Sequence, residues 1–173
     1  MRRKPPKRSP VTRTADTEKR RLRTPVPDLY WLSHLANQVS YGPSSKHKLA
    51  PVRFGLLPYT GQKEDPTYCD AHASFSPSDM VRIPTLLRRG ILAGLIGHND
   101  KHGDPTLIWA VDDNGWIYEG RITIPGRSIY HGYPVLEHEA IGRAVANRYI
   151  DYIYSQSLTN LIPSLQLLQS RYS

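Results

Sequence analysis

Cysteine is almost missing from this chain: among 173 residues only Cys69 carries a thiol. A lone cysteine excludes an intrachain disulfide and fits a reducing compartment, so a cytoplasmic protein is expected. Long apolar runs are missing too. The longest, residues 91–96, is far below the roughly 20 residues that a membrane span requires. No apolar stretch follows the basic N-terminus as it would in a secretory leader, so no membrane association is expected. The phosphate-cradling G-x-x-x-x-G-K-[ST] and G-x-G-x-x-G loops are absent, and so is H-E-x-x-H. Nucleoside triphosphate hydrolysis and zincin proteolysis have no support, and no cofactor is expected.

Acidic residues are scarce at one end only. Residues 1–24 hold ten Lys/Arg against two acids, which is the whole formal excess of +8; the other 149 residues hold thirteen of each. Residues 1–27 also have almost no large apolar groups, so they are expected to form a disordered basic arm. Such an arm suits contact with a phosphate backbone, and RNA or the ribosome is the partner it suggests. The bland alternative is a solubilising leader. Residues 28–173 are expected to form a single domain with one core.

Along that domain, Asp28 is a good N-cap for a helix over 29–39, with Leu29, Leu32, Leu35 and Ala36 on one face and His34 off it. Residues 40–75 read as a long irregular segment, with a short strand at 52–57. Ser76 and Asp79 form a capping box, Pro77 suits a first helical position, and the helix should run to Arg89 and stop at Gly90, kinked at Pro84 or split there into two short pieces. Residues 91–96 could add a strand. The strongest helix is expected over 137–154, with Ile141, Val145, Tyr149 and Tyr152 or Ile153 buried, and a shorter one over 158–168.

The sheet is most legible at residues 105–135. Alternation over 106–111, the turn Asp113-Asn114-Gly115, alternation over 116–124, the turn 125–128 and a strand over 129–135 together predict an antiparallel meander. The expected fold class is α+β: about four antiparallel strands, with helices packed on one greasy face. A two-residue turn at Asn114-Gly115 would pair Trp109 with Gly120 and place Glu119, Arg121 and Thr123 on an open face. The last strand has two candidate registers. A four-residue loop pairs Ile122 with His131 and turns the imidazole to the apolar side; a one-residue slip pairs Arg121 with His131 on the polar side.

In the second register Glu119, Arg121 and His131 converge, joined by Lys46, His47 and Lys48 from the loop. One group to take a 2′-OH proton, one to protonate the leaving oxygen and a cation for the phosphorane are what metal-independent RNA cleavage requires. His131, Glu119, Arg121 and His47 are the catalytic candidates; Lys46, Lys48, Tyr130 and Tyr133 are the substrate-binding ones. The competing reading of His131 is a structural core histidine. A weaker constellation is Cys69-x2-His72 with His98-x3-His102, whose spacings are those of a four-ligand zinc site in an interaction domain.

The ordered set Lys46-His47-Lys48, Phe54-Gly55, Trp109-Ala110-Val111, Asp113-Asn114-Gly115, Tyr118-Glu119 and Tyr130-His131-Gly132-Tyr133-Pro134 resembles a group of small uncharacterised bacterial proteins, over about residues 40–135. That resemblance implies a bacterial origin. At the level of fold, a helix-flanked antiparallel sheet bearing basic residues and histidines is similar to small ribonuclease toxins of the RelE, barnase and colicin type. The function expected is a toxin-type endoribonuclease, which a neutralising antitoxin or other partner protein would accompany. The alternative is a non-catalytic module that binds RNA, ribosome or protein through its basic arm.

Overall fold

A computed structural model describes residues 20–61 and 67–173. Helix α1 (Leu29–Gln38) begins where Asp28 accepts a hydrogen bond from the Trp31 N–H at 2.8 Å, satisfying one donor left unpaired at every helix start. It buries Leu32 and Leu35, whereas Leu29, in the first turn, stays exposed. After α1 come β1 (Ser40–Tyr41), two single 3₁₀ turns (Ser45–His47 and Pro51–Phe54) and the short helix α2 (Cys69–His72). The strand expected over 52–57 is therefore absent; Gly55, in the left-handed region at φ 70°, closes the second of those turns.

The capping box at Ser76 and Asp79 is present, but it opens a 3₁₀ segment (Pro77–Arg82) ahead of α3 (Ile83–Leu92). Pro84 sits in the first turn of α3, where its missing N–H costs nothing, so of the two expected outcomes the segment takes two short pieces and not one kinked helix. Gly90 lies inside α3. A methyl group there would stand 2.1 Å from the Trp109 carbonyl oxygen, so glycine lets helix and sheet meet backbone to backbone. Gly94, at φ 68°, ends the helix instead, with Leu95 N–H returning to the Gly90 carbonyl at 2.9 Å. Residues 91–96 thus finish a helix, and only Ile96 bridges to Ile108.

The sheet contains β2 (Leu107–Val111), β3 (Ile117–Ile124) and β4 (Ile129–Pro134), in the order β1-β4-β3-β2. The fold is α+β, but β1 runs parallel to β4, so the sheet is mixed and the expected all-antiparallel meander is corrected. Helices cover both faces. On one face α4 (Ala140–Ser155) and α5 (Ile162–Arg171) pack over Leu107, Trp109, Val111 and Ile117. On the other, α1 and α3 pack over Ile108 and Tyr130. α4 buries Ile141, Val145, Tyr149 and Ile153, the face that its 3.6-residue period predicts.

Two registers determine where the polar side chains go. Asp112 takes hydrogen bonds from the Asn114 and Trp116 N–H groups, and Gly115 adopts φ 72°. The hairpin therefore closes with a three-residue loop between Asp112 and Trp116. That moves the pairing by one residue from the expected two-residue turn: Trp109 faces Glu119, and Ile108 faces Gly120. Glu119 and Arg121 consequently share a face with Trp109. At the second hairpin Ile124 pairs with Ile129, as a four-residue loop requires, but a bulge at Thr123 then sets Arg121 opposite His131.

Candidate active site

β3 and β4 carry Glu119, Arg121, Tyr133 and His131 on one face, at the end nearest β1. Glu119 is fully buried. Its carboxylate is 2.6 Å from Arg20 Nε and 3.1 Å from Arg121 Nε; it also accepts from the Tyr133 hydroxyl and from Trp109 Nε1 at 3.2 Å. Burial alone would raise its pKa, but Arg20, the Tyr133 hydroxyl and Arg121 outweigh that and hold it below the ordinary carboxylate value. Glu119, expected on an open face as an acid–base group, is instead an ionised anchor with every oxygen occupied.

Arg20 was expected in the mobile arm, and the structure corrects that boundary. It is 6% exposed and bridges Glu119 and Glu139, the second at 2.6 Å. Around it, the Arg23 N–H donates to the Ile96 carbonyl, Arg148 donates to the Arg23 carbonyl, and Leu22 packs on the main core. Residues 20–27 are thus part of the folded body, and the remainder of the expected arm, 1–19, lies outside the described residues.

Arg121 is different: half its side chain is exposed. Glu119 and Tyr133 hold its Nε, the second at 2.6 Å, and Nη2 reaches Glu119 at 3.1 Å. Its Nη1 edge makes no hydrogen bond among the described residues and is free to meet an anion. Across from it, His131 is half-buried, with Nδ1 3.0 Å from the Thr123 hydroxyl and Nε2 open. His47 stacks on both His131 and Tyr133, at centroid distances of 5.5 and 4.7 Å, and its Nδ1 meets the Thr67 carbonyl at 3.3 Å.

Both imidazoles are held neutral. Burial lowers His47 to about 4 against the partial support of the Thr67 carbonyl, and the charges of His131, Lys46 and Lys48 lower it further. Burial, then Arg121 and Lys46, lower His131. A neutral imidazole with one nitrogen fixed and the other open is a general base, and a guanidinium beside it binds phosphate.

The structure thus brings Arg121, His131 and His47 together, with Glu119 behind them, and the charge of Lys46 reaches both imidazoles. It does not bring Lys48, which is fully buried on the other side of the sheet among Phe54 and Phe75. Tyr130 is also fully buried, and its hydroxyl donates to the Pro105 carbonyl at 2.6 Å. Tyr133 is buried but touches Arg121. Among the described residues no group of three or more His, Cys, Asp or Glu is placed to hold a metal, so Cys69, His72, His98 and His102 do not assemble. Arg20 and Glu139 escaped the sequence reading, and Thr123 was placed beside Glu119 and Arg121 without a role. Arg20 stands in a basic run like any solvated one, and no local signal marks it.

Compared with protein-family models, curated proteins and solved structures, the chain matches none. No described helix is long and apolar enough to cross a membrane.

Proposed function

We propose that the chain is a metal-independent endoribonuclease of bacterial toxin type that works at the Arg121–His131 edge. The observation that supports it is the cross-strand pairing of an accessible guanidinium with a neutral imidazole whose Nε2 is open. In this reading His131 Nε2 takes the proton of a ribose 2′-OH. The 2′ oxygen bonds to phosphorus, and the P–O5′ bond breaks. The departing 5′ oxygen takes a proton from the Lys46 ammonium, leaving a 2′,3′-cyclic phosphate and a 5′-hydroxyl. Arg121 meets the charge that develops on the phosphoryl oxygens. His47, only 5% exposed, does not touch substrate; it is a positioning residue stacked behind His131. Glu119 positions Arg121. A cytoplasmic substrate RNA and a neutralising partner protein complete the proposal.

The test is cleavage of an oligoribonucleotide in chelator. The full chain should yield 2′,3′-cyclic phosphate ends, and a single 2′-deoxy substitution should block its site. His131→Ala should lower the rate by about 10²-fold or more while circular dichroism stays unchanged. Wild-type protein that binds RNA through residues 1–24 yet never cleaves it would make the binding module the better account.

A further inference from the structure

At the hairpin end of β3 and β4 lies an open cleft of about 490 Å³, lined by Gln38, His102, Asp104, Gly126, Arg127 and Ser128. Its lining is polar throughout. Among the described residues, the Arg127 guanidinium makes no hydrogen bond or ion pair, and the His102 ring makes no hydrogen bond. That ring lies against the turn: a Cβ on Gly126 would stand 3.5 Å from His102 Nδ1. The carboxylates nearby are largely occupied. Asp100 Oδ1 accepts from the His102 and Asp104 N–H groups, at 2.8 and 3.2 Å. Asp104 Oδ1 accepts from the Ser128 hydroxyl at 2.8 Å, which leaves Oδ2 as an acceptor.

Helix α1 leads into this cleft. Tyr30, His34 and Gln38 recur every four residues, so they form one outer stripe about 12 Å long. His34 Nε2 and Gln38 Nε2 are 3.0 Å apart, which joins the stripe to the cleft wall. At its far end the Tyr30 ring is 86% exposed. The cleft is also close to the Arg121–His131 pair. Along β4 only Ile129 and Tyr130 separate Ser128 from His131, roughly 10 Å of strand.

We propose that the cleft and the stripe hold a single-stranded segment of the RNA, one phosphate on Arg127, one base against His102 and another on the Tyr30 ring. A nucleotide brings an anion, a flat ring and amino donors; the cleft brings a guanidinium, an imidazole face and the Asp104 Oδ2 acceptor. A protein partner would need an apolar centre, which this lining lacks. A duplex keeps its base faces stacked on one another, so only a single strand can use the Tyr30 ring. The inference rests on the RNA-directed reading, but not on cleavage.

The test is binding of a short fluorescent oligoribonucleotide, made uncleavable by 2′-O-methylation, to the full chain over a range of salt concentrations. Arg127→Gln should reduce the slope of log affinity against log salt by about 0.7, the share of one single-strand phosphate. Tyr30→Ala should weaken binding about fivefold or more at unchanged slope, and should leave binding of the same sequence as a duplex unaltered. Both side chains are exposed, so circular dichroism should match wild type. No binding by wild type, a wild-type slope in Arg127→Gln, wild-type affinity in Tyr30→Ala, or an equal loss on the duplex would overturn the proposal. Wild-type protein that shows both mutational effects yet never cleaves an unmodified oligoribonucleotide would strike the ribonuclease reading and leave this one standing.

Discussion

Glu119 and Arg121 stand two residues apart on one face of β3, yet one is fully buried and the other half exposed. The buried end is closed by residues 20–27, which deliver Arg20 to Glu119 and Glu139. The other end, beside the bulge at Thr123, is left uncovered. The same strand therefore carries a structural ion pair and a chemically available cation. What separates them is which neighbouring segment lies above, a property of the tertiary structure.

The largest expected effect comes from opening the buried end. Arg20→Ala leaves the buried Glu139 carboxylate without its cation and leaves Glu119 with Arg121 alone. Breaking a buried pair in this way costs about 3–5 kcal/mol. Deleting residues 1–27 should do the same, whereas deleting 1–19 should leave the denaturation midpoint nearly unchanged and only flatten the salt dependence of RNA binding. Urea denaturation of the three variants measures this. Equal stability of Arg20→Ala and wild type would mean that the ion pair does not hold residues 20–27 in place.

Glu119→Gln is expected to follow, at about 2–4 kcal/mol, because Arg20 and Arg121 lose their shared anion while the side-chain volume is kept. Loss of RNA cleavage in this variant would then accompany loss of stability. His131→Ala, at the open end, should lose cleavage with little change in stability. Measuring both quantities in both variants separates an anchor from a catalytic residue.

Helices α1 and α4 were legible because their signals are local: an aspartate cap and a 3.6-residue apolar period. Strands β2, β3 and β4 and the second turn were legible for the same reason, whereas β1 was missed and the strand expected over 52–57 is absent. The first register was not, because Asp112 and Asp113 are adjacent and either can flank the turn. It is the Asp112 carboxylate, bonded to two N–H groups, that selects the longer loop. The polar register of β4 was one of two open alternatives, and the bulge reconciles it with the loop length that favoured the other. Arg121, His131 and His47 were named from residue type and do meet. Glu119 was misplaced because the side chain that buries it, Arg20, is 99 residues away in a stretch whose composition reads as solvated.

An intermediate effect concerns His47. Unfolded, its imidazole takes a proton near 6.5; folded, only near 4. Between those values the unfolded chain binds more protons, so the stability present above about pH 6.5 falls as pH drops towards 4. A shift of that size corresponds to at most roughly 3 kcal/mol. Thermal melts of wild type and His47→Phe across this window should differ in slope, with the variant flatter. Parallel curves would show that burial of His47 does not set the acid sensitivity of the fold.

The smallest effect tests the open end directly. Thr123→Val keeps the β-branched shape that suits a strand but removes the hydroxyl on His131 Nδ1. That hydrogen bond is exposed, so water replaces it and stability should change by no more than about 0.5 kcal/mol. The consequence lies in the imidazole itself. The ribonuclease reading requires the hydroxyl to accept from Nδ1–H, which leaves Nε2 as the base; without the hydroxyl, both tautomers become populated. Nitrogen chemical shifts of His131 should therefore move from one dominant tautomer towards a mixture, and RNA cleavage should fall only a few-fold. If the shifts are unchanged, the tautomer is set by Arg121 and Lys46, the charges that also lower the His131 pKa. The bulge at Thr123 would then matter only for bringing Arg121 and His131 into register.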